Sequence, residues 1–245
     1  MEVSITGAKI YYVIPGINYP ITQTVVNAWI AMVVIVGLCI WLTRGMQVHA
    51  RTKRQVVAEM IVQMAQKLVR GNMGAKWDSF VPFIAAILSM SVVSSLMGLT
   101  GAYSPTNDLN TFLAWGILVF VLITYHKIKA NGFGGYLKGF TEPIFVMTPM
   151  NIISEIATPV SMSLRHFANI CSGYVIGLLL YAALGAVSQM IFFWLPGSLG
   201  TIPFLQVGIP AVLNVYFSVF SGCVQPYIFC MLTMQFVAQA AGTEE

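Results

Sequence analysis

Hydrophobic positions along this chain gather into long uninterrupted blocks instead of alternating with polar ones. Residues 24 to 43, TVVNAWIAMVVIVGLCIWLT, run for 20 positions without a charge, matching the ~20 residues an α-helix needs to cross ~30 Å of hydrocarbon. Residues 79 to 100 and the shorter block 110 to 125 predict a second and a third span. Residues 143 to 160 are apolar but hold Pro149, Pro159 and the carboxylate Glu155, which predicts a broken or interfacial segment. Two longer blocks, 161 to 195 and 206 to 241, exceed what a perpendicular crossing requires at 1.5 Å per residue, so both are expected to be strongly tilted. Between the first and second spans, Val56, Val57, Met60, Ile61, Met64 and Leu68 recur at the spacing of a one-sided helix. That helix should lie on the membrane surface or against a partner.

The pattern defines an all-α membrane protein. It is a single membrane domain over 1–245, with about five transmembrane helices and one amphipathic helix. Composition agrees, since 58% of residues are hydrophobic and only 8% charged, against about 25% charged in soluble domains. After Arg165 no Lys, Arg, Asp or Glu occurs until Glu244. The net charge of +4 does not point to nucleic acid, because the cations cluster beside apolar blocks. Arg44, Arg51, Lys53, Arg54, Lys67, Arg70 and Lys76 follow the first span, and Lys127, Lys129 and Lys138 follow the third. By the positive-inside rule the N-terminus is outside, both basic segments, including NGFGGYLKGF, are cytoplasmic loops, and the C-terminus is cytoplasmic. The N-terminal segment lacks the charged start and cleavage site of a signal peptide. Cys39, Cys171, Cys223 and Cys230 lie inside apolar blocks without metal-ligand spacing and read as free packing residues. Nothing calls for a metal or another cofactor.

Arg165 is the position with most chemical content. An arginine within an apolar helix costs at least about 2.5–3.5 kcal/mol on insertion scales and cannot escape by losing its proton. It must face protein or water, pair with Glu155, or snorkel to headgroups. Steps of four from Arg165 reach Asn169, Gly173 and Gly177, a slowly winding ridge on which two residues lack side chains. The ridge fits either close approach by a partner helix or an ordinary contact within the chain. In the last block Asn214, Ser218, Ser221 and Gln225 share one helical face. Singly such residues stitch helices together; four in register suggest a wet path. His49 and His126 flank basic loops, and His166 adjoins Arg165 but is turned about 100° from it.

Taken in order and spacing, GYLKGFTEP, PMNIISEIATPVS, SLRHFANICSG and QPYIFCMLT closely resemble subunit a of F-type ATP synthases, the membrane stator of a rotary motor. The resemblance is strongest from about residue 76 to 240. It implies that Arg165 is the essential arginine facing the carboxylates of a c-ring, with Asn169, Gly173 and Gln225 at the family's further motif positions. It implies ion flow, H+ or Na+, through two aqueous half-channels, with Glu155 at the inner one. It also implies c-ring and peripheral-stalk b subunits as partners in a bacterial cell membrane, and no catalysis by this subunit, ATP chemistry residing on soluble partners. The chain departs from the family pattern at His166 and Ala168, where Leu and Gly are usual. It departs again at Tyr174 and Ser218, where many relatives carry a carboxylate or histidine. A self-contained ion or solute permease, with Arg165 as its substrate-binding cation, is the competing reading, and a purely structural scaffold is the third.

Overall fold

The computed structural model describes residues 8–16, 18–47, 52–99, 103–141, 144–192 and 204–242. Six helices account for nearly all of them. They are α1 (Gln23–Thr43), α2 (Lys53–Met73), α3 (Val81–Leu99), α4 (Leu109–Thr141), α5 (Thr148–Phe192) and α6 (Phe204–Ala240). Segments Gln23–Thr43, Ala75–Gly98, Leu109–Thr141 and Phe145–Ser188 are each long and apolar enough to cross a membrane. At 37 residues, α6 exceeds the length of a perpendicular crossing as well. Before α1 the chain forms a two-stranded antiparallel hairpin, β1 (Ile10–Ile14) and β2 (Tyr19–Thr22), which the apolar pattern does not announce.

The core is built on the second half of α6. Phe229, Cys230, Met234 and Val237 are buried there against Ile84 of α3, Val119 of α4 and Val69 of α2. Close approach is set by small residues. Gly222 of α6 lies against Ser95 of α3, where an added Cβ would come within 2.6 Å of the serine Cβ. Gly116 of α4 lies against Ser163 and the Pro159 carbonyl of α5, leaving no room for a side chain.

Three expectations change. Residues 143–160 do not form a separate broken element: α5 continues through Pro159 for 45 residues. Pro149 sits in the first turn, where a missing N–H costs nothing. Pro159 does not end the helix; its own carbonyl lies against Gly116 of α4 and accepts from Ser163 Oγ at 2.9 Å. The segment NGFGGYLKGF is not a loop either. It continues α4 past a bend at Gly132, whose φ of 70° and ψ of 166° only glycine adopts cheaply. Finally, the cysteines are free, as read, but only Cys230 packs; Cys39, Cys171 and Cys223 are exposed.

The amphipathic segment is helical as predicted, and its apolar face is left uncovered. Val56, Val57, Met60, Ile61 and Met64 are exposed, while the neighbouring stripe of Gln55, Ala58, Val69 and Met73 is buried. Arg54 lies over the Trp41 ring at 4.6 Å and ties α2 to α1. Arg70 is held by Asp78 at 2.6 Å, and these hydrogen bonds keep its guanidinium still more firmly protonated.

Candidate functional site: an arginine ridge and a buried ion pair

Helix α5 carries the chemistry. Arg165 lies about 26 Å along it from Thr148, far from either end of the helix. Glu155 is ten residues away, about 15 Å along the same helix, which excludes an intrahelical pair with Arg165. Glu155 is bound instead by Lys127 of α4, with Nζ 2.5 Å from Oε2. The Glu155 side chain is only 11% exposed, and its other oxygen, Oε1, has no partner among the described residues. The Arg165 side chain is exposed and meets no carboxylate among the described residues.

The ridge beyond it is equally open. A Cβ added at Gly173 or Gly177 would meet nothing within 4 Å among the described residues, so no described neighbour packs tightly on either glycine. The face of α5 about 100° from Arg165 is closed by His166, which is fully buried, 4.1 Å from the Phe112 ring by centroids and near Trp115 and Phe229. His166 therefore anchors α5 to α4 and α6 while its neighbour Arg165 faces outward. Leu164 and Ala168, flanking this pair, are exposed with Arg165.

Asn169 and Gln225 are brought together. Asn169 Nδ2 donates to Gln225 Oε1 at 3.5 Å, a long bond joining the α5 ridge to the α6 polar face. Gln225 is buried at 7% exposure. Asn214, Ser218 and Ser221 fall within α6, as the spacing predicts, but their side chains, like that of Tyr174, lie outside the described residues.

Around the Glu155 pair is a cavity of about 500 Å³ between α4, α5 and α6, lined by Lys127, Tyr136, Asn151, Ser154, Thr158 and Gln239 among others. Neither Lys127 as the partner of Glu155 nor this cavity was legible from spacing. The two residues are 28 positions apart, and the available signal was only a lysine just past one span and a carboxylate inside the next. Because the carboxylate is nearly buried, Lys127→Ala should destabilise the chain by about 1–3 kcal/mol, the desolvation cost of an orphaned polar group. Adding Glu155→Gln should recover most of that loss, read as the unfolding midpoint of the purified subunit in detergent. No recovery would mean the pair is not what Lys127 provides.

A helical membrane protein that keeps one guanidinium exposed midway along an apolar helix and one carboxylate nearly buried beside a polar cavity belongs to the class that moves ions. Comparison narrows the class. The family model described as ATP synthase A chain matches residues 25–238. ATP synthase subunit a of Desulforamulus reducens is 31% identical over 236 residues, covering 96% of this chain and 84% of the relative. ATP synthase subunit a 1 of Prosthecochloris aestuarii is 31% identical over 228 residues, covering 92% of each. A sodium-ion-specific ATP synthase subunit a of Propionigenium modestum is 29% identical and spans 93% of this chain and 77% of that one. The chain belongs to the ATP synthase A chain family. It is an integral membrane protein, the ion-translocating stator component of an ATP synthase membrane sector, and is not itself catalytic.

Proposed function

We propose that the α5 ridge of Arg165, Asn169, Gly173 and Gly177 is the surface past which a c-ring turns, and that Arg165 forces each ring carboxylate to release its ion. The observation that carries this reading is the exposed guanidinium midway along an apolar helix, beside two glycines that face open space. Hydrocarbon would penalise it by at least about 2.5–3.5 kcal/mol, so a protein or aqueous surface must cover it. A fixed cation ~4 Å from a carboxylate is worth about 4 kcal/mol at an effective dielectric of 20. That lowers the carboxyl pKa by more than about two units. The ring group must therefore surrender its H+ or Na+, and the guanidinium, which does not deprotonate, cannot pass protons across.

Two paths would serve the ridge. The inner one runs through the cavity at Glu155, Asn151 and Ser154 to the cytoplasmic side. The outer one follows Asn214, Ser218, Ser221 and Gln225, joined to the ridge where Asn169 meets Gln225. With Ser218 and Tyr174 at positions where relatives carry titrating groups, water rather than a side-chain relay would carry the ion there. The force comes from the membrane potential, ~2.3 kcal/mol per charge per 100 mV. Peripheral-stalk b subunits would hold this stator still in a bacterial inner membrane while the ring turns.

Reconstitution into vesicles tests this reading against an autonomous permease. Flux of H+ or Na+ should be at background for the subunit alone and appear when the ring is added. Flux through the subunit alone would contradict the proposal.

A further inference from the structure

A second cavity, of about 620 Å³, lies at the opposite end of the α3–α4 pair from the N-terminal hairpin, lined by Lys76, Trp77, Ser79, His126, Lys129 and the C-terminal end of α6 at Ala241 and Gly242. It is separate from the Glu155 cavity and from the Arg165 ridge, and the ion path makes no use of it. Its position is the polar boundary of two spans: the apolar block of α3 begins just after Ser79, and that of α4 ends just before His126. Neither Lys76 nor Lys129 meets a carboxylate among the described residues, because the nearest one in sequence, Asp78, is taken by Arg70. Lys129 instead lies 6.0 Å from the Tyr125 ring centroid. His126 Nδ1 is 2.8 Å from the Leu122 carbonyl, and as that oxygen can only accept, Nδ1 carries the proton, leaving Nε2 as the ring's other polar atom. Trp77 lies 5.1 Å from His126 by ring centroids with the planes tilted at 49°, an aromatic at the boundary of a span.

We propose that this pocket binds the phosphate of an anionic phospholipid headgroup. Lys76, Lys129 and the Ser79 hydroxyl offer donors with no carboxylate among the described lining residues, at the polar boundary of two spans, and Trp77 offers a rim for the glycerol backbone. Basic pockets between membrane helices are the usual receptors for such headgroups. The site takes a negative group because neither lysine meets a carboxylate among the described residues. It takes a lipid because its floor is the exit of two membrane spans.

The test uses the intact ATP synthase purified in detergent and photoactivatable phosphatidylglycerol, with phosphatidylcholine of the same chains as the neutral control. Labelling of the peptides containing Lys76–Ser79 and His126–Lys129 is read by mass spectrometry. Phosphatidylglycerol should label them about tenfold more than phosphatidylcholine, and the paired change Lys76→Gln, Lys129→Gln should erase that preference. Lys76→Arg with Lys129→Arg should keep it. Equal labelling of the wild-type complex by the two lipids overturns the proposal, and this comparison stands even if the glutamine variant fails to assemble. Loss of labelling in millimolar inorganic phosphate also overturns it, by identifying a free anion as the ligand. So does a several-fold rise on deleting residues 243–245, which would assign the lysines to Glu244 and Glu245.

Discussion

Arg165→Ala abolishes ion-driven ATP synthesis while the complex still assembles. Arg165 is exposed on α5 and makes no ion pair or core contact among the described residues, so its removal should leave the packing of Phe229, Met234 and Val237 intact. What disappears is the roughly 4 kcal/mol that displaces an ion from the ring carboxylate, a change of about a thousandfold in its occupancy. Arg165→Lys fails as well: an ammonium lacks the planar fork and loses its proton more readily when desolvated. Synthesis is measured in membranes energised by an imposed gradient, with subunit content checked on the purified complex. Near-normal synthesis in the lysine variant refutes the need for a permanently charged guanidinium.

Gly173→Leu and Gly177→Leu should each reduce coupled synthesis by about tenfold or more, because a leucine side chain on the ridge holds the facing helix away from Arg165. Among the described residues a Cβ at either position meets nothing within 4 Å, so the subunit's own fold is expected to tolerate the changes. The two effects separate cleanly: the subunit's own stability stays unchanged while activity falls. Gly116→Leu behaves in the opposite sense. Ser163 and the Pro159 carbonyl fill that space, so the fold itself is damaged. A ridge leucine that leaves synthesis untouched means the glycines do not face the ring.

Spans 24–43, 79–100 and the start of α4 could be read from the apolar blocks because length and lack of charge alone specify a membrane helix. The course of α5 could not. A proline predicts a break from local geometry, whereas a membrane helix can run through one where a neighbouring helix packs against it, as α4 does at Gly116. Gly132 was similarly ambiguous, since glycines mark both loops and bends; here one left-handed glycine turns α4 without ending it. The shared face of Arg165, Asn169, Gly173 and Gly177 on α5 was legible because a helix turns four-residue spacing into one ridge. The Lys127–Glu155 pair was not, because it depends on how α4 lies against α5. The burial of His166 was half legible: spacing puts it about 100° from Arg165, but only packing shows that this direction is the aromatic core of Phe112 and Phe229.

The central claim is that the open face of α5 at Arg165 meets the rotating ring. Disulfide trapping reads that contact directly. Asn169→Cys would be paired with single cysteines placed along the outer face of the ring helix, in the assembled complex with Cys171 replaced by serine so that it cannot compete. The account predicts a crosslink when the ring cysteine is level with the membrane carboxylate, formed in the resting complex and blocking rotation-coupled hydrolysis until reduced. Failure of every ring position to crosslink with Asn169→Cys, while a cysteine on the far face of α5 such as Leu178→Cys, turned about 180° from Asn169, crosslinks readily, would contradict it.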